Sequence, residues 1–442
     1  MSHLFNLARE SLVPLPEPED DAFGQQFDRF ITDKTRVVLL GEASHGTSEF
    51  YRSRAAITKR LVEKFGFNIV AVEADWPDAA NIDRWVRQKD TRISKPTYEV
   101  EPFTRFPSWM WQNTDVSNFF TWLKDHNSKL SFDERCGFYG LDLYNLRASM
   151  GAVINYLSQV DPASAETAKK RYGCLSPWAN DPSLYGMASL SAGYAKCEKE
   201  VIRVQVDLLS KSLRYAIHTA NGEEYFNAEQ NARLVTDAEK YYRVMFYGAA
   251  DSWNLRDTHF FDTLMNILKK RGPASRAVVW AHNSHIGDAR FTSMGTLREE
   301  LNIGQLCREE FQDAATLIGF GTHTGTVAAA HEWDSPMKVM DVVPSRPDSY
   351  ERIFHETGIP RGVIDLRDPN KEINRLLLKE RKERFIGVIY RPETELWSHY
   401  SDAVLPRQFD AYVWFDQTNA VTPLKVREKH DRAQDETYPF GL

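Results

Sequence analysis

Apolar residues in the first third of the chain fall in short unbroken runs, separated by segments with helical spacing. Val37-Val38-Leu39-Leu40 is the first run and Ile69-Val70-Ala71-Val72 the second. Between them Phe50, Ile57, Leu61 and Phe65 recur at three-to-four-residue intervals or their multiples, which predicts a helix over 50–65. Further helices are predicted near 78–87 and over 115–126, followed by the run Gly137-Phe138-Tyr139-Gly140-Leu141. Unbroken runs, rather than alternation, mark strands covered on both faces. Strand–helix–strand order points to an α/β fold with a mainly parallel sheet flanked by helices.

From about 161 to 270 the pattern changes to long, charged, helix-favouring stretches over 198–217, 224–246 and 257–270. This predicts a large helical insertion or cap. Strands are expected to resume at 277–280, 316–320, 338–340, 385–389 and 411–414. The expected division is an α/β catalytic core of 30–155 and 271–425, a helical insertion over 156–270, and exposed termini at 1–29 and 426–442.

Composition narrows the function classes. At 442 residues and 42% hydrophobic, the chain can bury a sizeable core. A net charge of −7 gives no basic face for neutralising phosphates, so no nucleic-acid partner is expected. No run approaches the roughly 18 consecutive apolar residues of a membrane span, and none is expected to engage a membrane. Cys136, Cys174, Cys197 and Cys307 form no C-x-x-C pair, which suits free thiols in a reducing compartment. The first residues lack the basic and apolar regions of a signal peptide, so the expected location is cytoplasmic. The partner class is a small-molecule substrate; the sequence leaves the oligomeric state open.

The chemistry collects where apolar strands end. Glu42 follows the first run and Glu73 the second; Asp142 follows the Phe138 run, and His282 and His285 follow Val278-Val279-Trp280. In open parallel sheets the carboxyl edge is where ligands bind. In Gly41-Glu42-Ala43-Ser44-His45-Gly46-Thr47-Ser48 the glycines permit a tight turn, and Thr47 or Ser48 can cap the next helix. Histidine has an ordinary pKa near ~6.5 and accepts a proton from water at neutral pH. His45, with Glu42 three residues away to orient it, is therefore the candidate general base. His282 and His285 are candidates to orient water, stabilise an oxyanion or protonate a leaving group, and Glu73 to hold a histidine tautomer or position water.

Arg54 falls on the apolar stripe of the 50–65 helix, where an unpaired arginine is costly. It either snorkels or pairs with Glu49 or Asp75, or else it is a cation at the substrate pocket. Ser44 lacks the G-x-S-x-G elbow because Glu42 stands where its first glycine belongs, and Ser284 has no such glycines, so no covalent serine mechanism is signalled. Glu42, His45, Glu73, His282 and His285 are ligand types for a divalent metal, but the histidines lack the i, i+4 spacing of H-E-x-x-H, and His331-Glu332 has no second histidine. The expectation is that no cofactor is required, with a metal-dependent hydrolase built on the same cluster as the alternative.

At these residues the sequence resembles the erythromycin esterase family. The matching segments are Gly41–Gly46, Val72-Glu73-Ala74-Asp75-Trp76, Trp109-Met110-Trp111 with Asn113, Tyr139-Gly140-Leu141-Asp142, Trp253-Asn254-Leu255-Arg256-Asp257 and Trp280-Ala281-His282-Asn283-Ser284-His285. The later segments Tyr390–Glu395, His399-Tyr400 and Gln408–Ala411 are similar too. The resemblance implies an α/β core with helical additions and a deep cleft, and a carboxylic-ester hydrolase of macrolide-esterase type, with antibiotic resistance as its associated role. It implies His45 as base, supported by Glu42, Glu73, His282 and His285, with Arg54 lining the pocket. Distant relatives with a similar loop include metal-dependent proteins. A non-catalytic small-molecule-binding member is the remaining alternative.

Trp76, Phe103, Phe106, Trp109 and Trp111 are either an apolar wall for a bulky substrate or core packing. Arg256-Asp257, expected to open a helix, is either a structural ion pair or part of the cleft. Arg54, Trp76, Phe103, Trp109, Asp142 and Arg256 complete the candidate substrate-binding set.

Overall fold

A computed structural model describes residues 2–89, 102–191, 196–216, 222–246 and 248–424. Its strands are β1 (Val13–Pro14), β2 (Val37–Leu40), β3 (Ile69–Asp75), β4 (Gly137–Asp142), β5 (Ala277–Trp280), β6 (Ala315–Ala329), β7 (Lys338–Val342), β8 (Arg361–Asp365), β9 (Arg381–Arg384), β10 (Tyr400–Ala403) and β11 (Ala411–Thr418). Nine of them form one sheet in the order β1-β8-β11-β6-β2-β5-β3-β4, with β7 on β6; β9 and β10 pair separately. The six strands from β11 to β4 are mutually parallel, whereas β8, β1 and β7 join antiparallel.

The unbroken apolar runs are strands buried on both faces. Val37, Leu39, Ile69, Ala71, Ala277 and Val279 enter one core. Their alternating neighbours Val38, Leu40, Val70, Val72, Val278 and Trp280 enter the other. The helices Ser48–Phe65 and Thr114–Asn127 bring Phe50, Ile57, Leu61, Phe119 and Leu123 to the second core. Between β4 and β5 the described residues hold helices and no strand, from Leu146–Val160 to Ala249–Arg271. Their buried residues, among them Val201, Leu234, Phe260 and Leu264, pack in the first core with the sheet. Among the described residues no helix is long and apolar enough to cross a membrane.

Three local expectations change. The segment 385–389 is not a strand: Ile386 bridges to Ser44 and Ile389 to Ala330, so a loop buries that apolar run beside the Glu42–His45 turn. Residues 1–29 are not merely exposed. The helix Ser2–Ser11 and β1 bury Ala8 and Leu12 against one core, and Phe23 and Phe27 enter the other. Cys174 and Cys197 are joined in a disulfide, leaving Cys136 and Cys307 free and buried. The expected exposed segment 426–442 lies outside the described residues.

Candidate functional site

β2, β5, β3 and β4 lie side by side and parallel, so their carboxyl ends deliver their following residues to one place. A cleft enclosing about 870 Å³, part of it open to solvent, lies there. His45, Glu73, Asp142, Arg256, His282 and His285 all line it.

The first loop is held by close backbone approach rather than by left-handed glycines. A Cβ on Gly46 would lie 1.8 Å from the Ala328 carbonyl oxygen, and one on Gly41 would lie 2.1 Å from Asn283 Oδ1. Asn283 in turn donates to the Phe320 carbonyl (2.7 Å) and accepts from the Phe320 N–H (3.2 Å), tying the second loop to β6. Thr47 occupies the N-cap position without a side-chain cap bond; its hydroxyl meets Ser44, and Ser48 donates to Asp115.

Behind His45 runs a buried relay. His45 Nδ1 lies 2.9 Å from Glu42 Oε1, and Arg54 Nη2 donates to Glu42 Oε2 at 2.6 Å. A carboxylate only accepts, so Nδ1 carries a proton, and in the neutral ring Nε2 is the accepting nitrogen. Tyr51 donates to the His45 carbonyl at 2.6 Å, and its ring lies under the Arg54 guanidinium. Arg54 is 0% exposed. The arginine is thus neither snorkelling nor paired with Glu49 or Asp75, and it does not line the cleft.

The second group surrounds Glu73. Its Oε2 accepts the His282 backbone N–H at 2.9 Å, and its Oε1 accepts Arg256 Nη2 at 3.0 Å and lies 3.3 Å from His285 Nε2. Burial would raise this carboxyl, but His285, His45 and Arg256 hold it well below the usual range. Asp142 grips Arg256 with both oxygens, at 3.0 and 2.6 Å. Asp257 meets His285 Nδ1 at 3.0 and 2.9 Å, and Trp253 stacks flat on the His285 ring at 4.6 Å. Burial would lower the His285 pKa, yet Asp257 and Glu73 raise it to about 9.

His282 differs. Its Nδ1 accepts the Ser284 N–H at 3.3 Å, which puts the ring proton on Nε2. Nε2 is buried, and the Ala43 carbonyl beside it favours a proton on the ring. Burial and neighbouring His45 push the His282 pKa well below 6.5, so it is neutral at physiological pH.

Of the aromatic candidates, Phe103, Phe106 and Trp111 line the cleft. Trp76 and Trp109 do not: Trp76 donates to Asn227 against Tyr139, and Trp109 packs edge-on to Phe106. The sequence leaves Asp257 open between a structural ion pair and the cleft and does not single out Trp253 as a site residue. Both lie within the helix Ala249–Arg271, which begins eight residues before the predicted 257. It also passed over Asp75 on the cleft wall, where burial lifts the carboxyl to about 7 against the opposing pull of Arg105, with Asp142 and Asp78 adding to the rise. Among the described residues no His, Cys, Asp or Glu side chains are grouped to hold a metal ion.

The family model for erythromycin esterase matches residues 62–418. A putative hydrolase, YbfO of Bacillus subtilis, is 20% identical, covering 88% of this chain and 84% of its own. Erythromycin esterase type II of Escherichia coli is 22% identical, covering 72% and 76%. Among solved structures, a protein from Bacillus cereus superposes with a TM-score of 0.80 at 17% identity, covering 96% of this chain and 99% of its own. A mutant of erythromycin esterase EreC in its open conformation has a TM-score of 0.67 at 16% identity, covering 94% and 99%. At these identities the structural likeness speaks for the fold alone.

Proposed function

Because the chain belongs to the erythromycin esterase family, we propose that it hydrolyses an ester or lactone with a water molecule activated by His45. The observation that carries this reading is the buried Arg54–Glu42–His45 relay, which opens on a cleft shared with two further histidines. A carboxylate bound to Nδ1 fixes the tautomer and stabilises the imidazolium that forms as Nε2 takes a proton. His282, which lines the cleft and carries its ring proton on Nε2, is the donor proposed for the oxyanion of the tetrahedral intermediate, where a placed donor is worth about 100- to 1,000-fold in rate. Arg256, held by Asp142 and Glu73, adds positive charge to the same wall.

A macrolide lactone is the finer substrate assignment. It is supported by the relatives named erythromycin esterases and by the aromatic flank that Phe103, Phe106 and Trp111 give the cleft. Macrolide resistance would follow from that activity. No cofactor is part of the proposal. Glu42 is engaged by Arg54 and His45, and Glu73 by Arg256 and the His282 N–H, so both carboxylates are already committed to protein partners. Location in the cytoplasm is proposed as well; the Cys174–Cys197 bond, of a kind reducing compartments disfavour, stands against it, and thiol counting on protein extracted under acid quench decides.

The test is purified protein incubated with erythromycin and a panel of esters, followed by mass spectrometry for addition of one water. Turnover that survives exhaustive chelation and vanishes in folded His45→Asn supports the reading. Full activity in His45→Asn overturns the base, and loss on chelation restored by a metal overturns the cofactor-free mechanism. Tight binding without product identifies a binding protein instead.

A further inference from the structure

The cleft holds two histidine–carboxylate pairs, not one. His45 is backed by Glu42 from its own loop, and His285 by Asp257 from the helix Ala249–Arg271. The two pairs differ in their surroundings. Glu42 is neutralised by Arg54, whereas Asp257 has no arginine in hydrogen-bond contact among the described residues: its remaining partner there is the Ile303 N–H at 2.9 Å. The Asp257 carboxylate is 0% exposed and directs both oxygens at His285 Nδ1. Trp253, stacked on the ring, and Phe260 behind it fix its plane.

At the other side of the ring, Nε2 lies between two partners of opposite kind. Glu73 Oε1, at 3.3 Å, accepts from a protonated Nε2. Arg256 Nη1, at 3.1 Å, donates to an unprotonated one. The ring is therefore provided for in both states, which is what a group that gives up a proton and regains it requires.

The geometry points to a division of labour: His285 donates its Nε2 proton to the leaving oxygen, and Asp257 is the positioning residue that equips it to do so. This rests on the hydrolytic reading above. In the step, His45 Nε2 takes a proton from water as the water oxygen bonds the carbonyl carbon. The tetrahedral oxyanion collapses, the bond from carbon to the leaving oxygen breaks, and that oxygen takes the His285 proton. Carboxylic acid and alcohol result, and a proton passing from His45 to His285 by way of solvent restores both rings. The charges facing His285 are Asp257 and Arg256 from the helix Ala249–Arg271, Glu73 from β3, Asp142 from β4, Glu300, and the neighbouring His282 and His45. A pKa raised to about 9 keeps the donor charged at neutral pH.

Two experiments on the full chain test this. The first needs no substrate: ¹⁵N-histidine NMR titration of wild type and Asp257→Asn, with His285 assigned by its absence in His285→Gln. The His285 midpoint should fall by about one pH unit or more in Asp257→Asn and return in Asp257→Glu; an unchanged midpoint overturns the positioning role, whatever the enzyme hydrolyses. The second compares a 4-nitrophenyl ester, whose phenolate leaves without a proton, with an alkyl ester or lactone of the same acid. In Asp257→Asn and in His285→Gln the alkyl rate should fall about 100-fold further than the nitrophenyl rate, whereas His45→Asn should depress both alike. Equal losses on the two esters overturn the proton-donor role, and His285→Gln decides should Asp257→Asn not fold. Failure of the hydrolytic reading would show differently, as wild type inert to both esters.

Discussion

Arg54 Nη2 lies 2.6 Å from Glu42 Oε2, with the two side chains 0% and 2% exposed, on the side of the histidine loop away from the cleft. An arginine that touched substrate would be judged by KM. One that acts through a carboxylate on a histidine should be judged by kcat and by stability. Arg54→Met leaves Glu42 buried without its cation, at a cost of about 3–5 kcal/mol. Chemical denaturation should show that loss, and kcat should fall while KM for any hydrolysed ester stays within a few-fold. A change confined to KM would place Arg54 at the substrate after all.

Gly46→Ala forces a methyl group into the Ala328 carbonyl, 1.8 Å away. The clash is with backbone, so the loop carrying His45 has to move. The expected outcome is a lowered Tm, with overpacking worth about 1–3 kcal/mol, and turnover reduced well beyond what stability explains. Gly66→Ala is the control. It meets no atom within 4 Å, and its positive φ of 69° makes it strained, yet it is remote from the reaction.

The pH dependence of stability follows from His285. Its folded pKa is raised, to about 9, above an unfolded value near ~6.5. The stabilisation is therefore complete below the unfolded value and is lost as pH rises through about 9. Glu73 works in the opposite direction: held low, it contributes above its unfolded pKa and is lost in acid as pH falls through its folded value. Melting curves from pH 4 to 10 should show His285→Asn closing most of its gap to wild type at the alkaline end. A gap constant from pH 7 to 10 would contradict the linkage.

Of the four cysteines, two should react with a thiol reagent under denaturing, non-reducing conditions and four after reduction, because Cys174 and Cys197 are bonded across 23 residues. Cys174→Ser should destabilise the helical region by about 2–4 kcal/mol on the chain-entropy scale. Four reactive thiols before reduction would refute the bond.

What the sequence disclosed depended on whether a signal was local. Val37–Leu40 and Ile69–Val72 read as strands because both faces of each are buried, so no polar residue interrupts them. Only the first part of β6 shows as an apolar run; from Gly321 to Thr326 it carries Gly, Thr and His, which give none. The run at 385–389 misled because burial by single bridges to Ser44 and Ala330 looks, in one dimension, like burial in a sheet. Glu42 and His45 were legible as a pair because three residues separate them. Asp257 was not, since its meeting with His285 depends on the helix before β5 packing over the turn after it.

The helix Ala249–Arg271 closes the long helical stretch between β4 and β5, yet its second and third turns supply Trp253 and Arg256 to the cleft and Asp257 to the His285 ring behind it. The candidate site therefore draws on the inserted region as well as on the sheet. Exchanging the segment from 161 to 244 between homologues should transplant shape while leaving the reaction in place, whereas a graft extending to 270 would carry part of the machinery with it. For anyone building chimaeras of this fold, the safe junction lies ahead of Ala249, not at the start of β5.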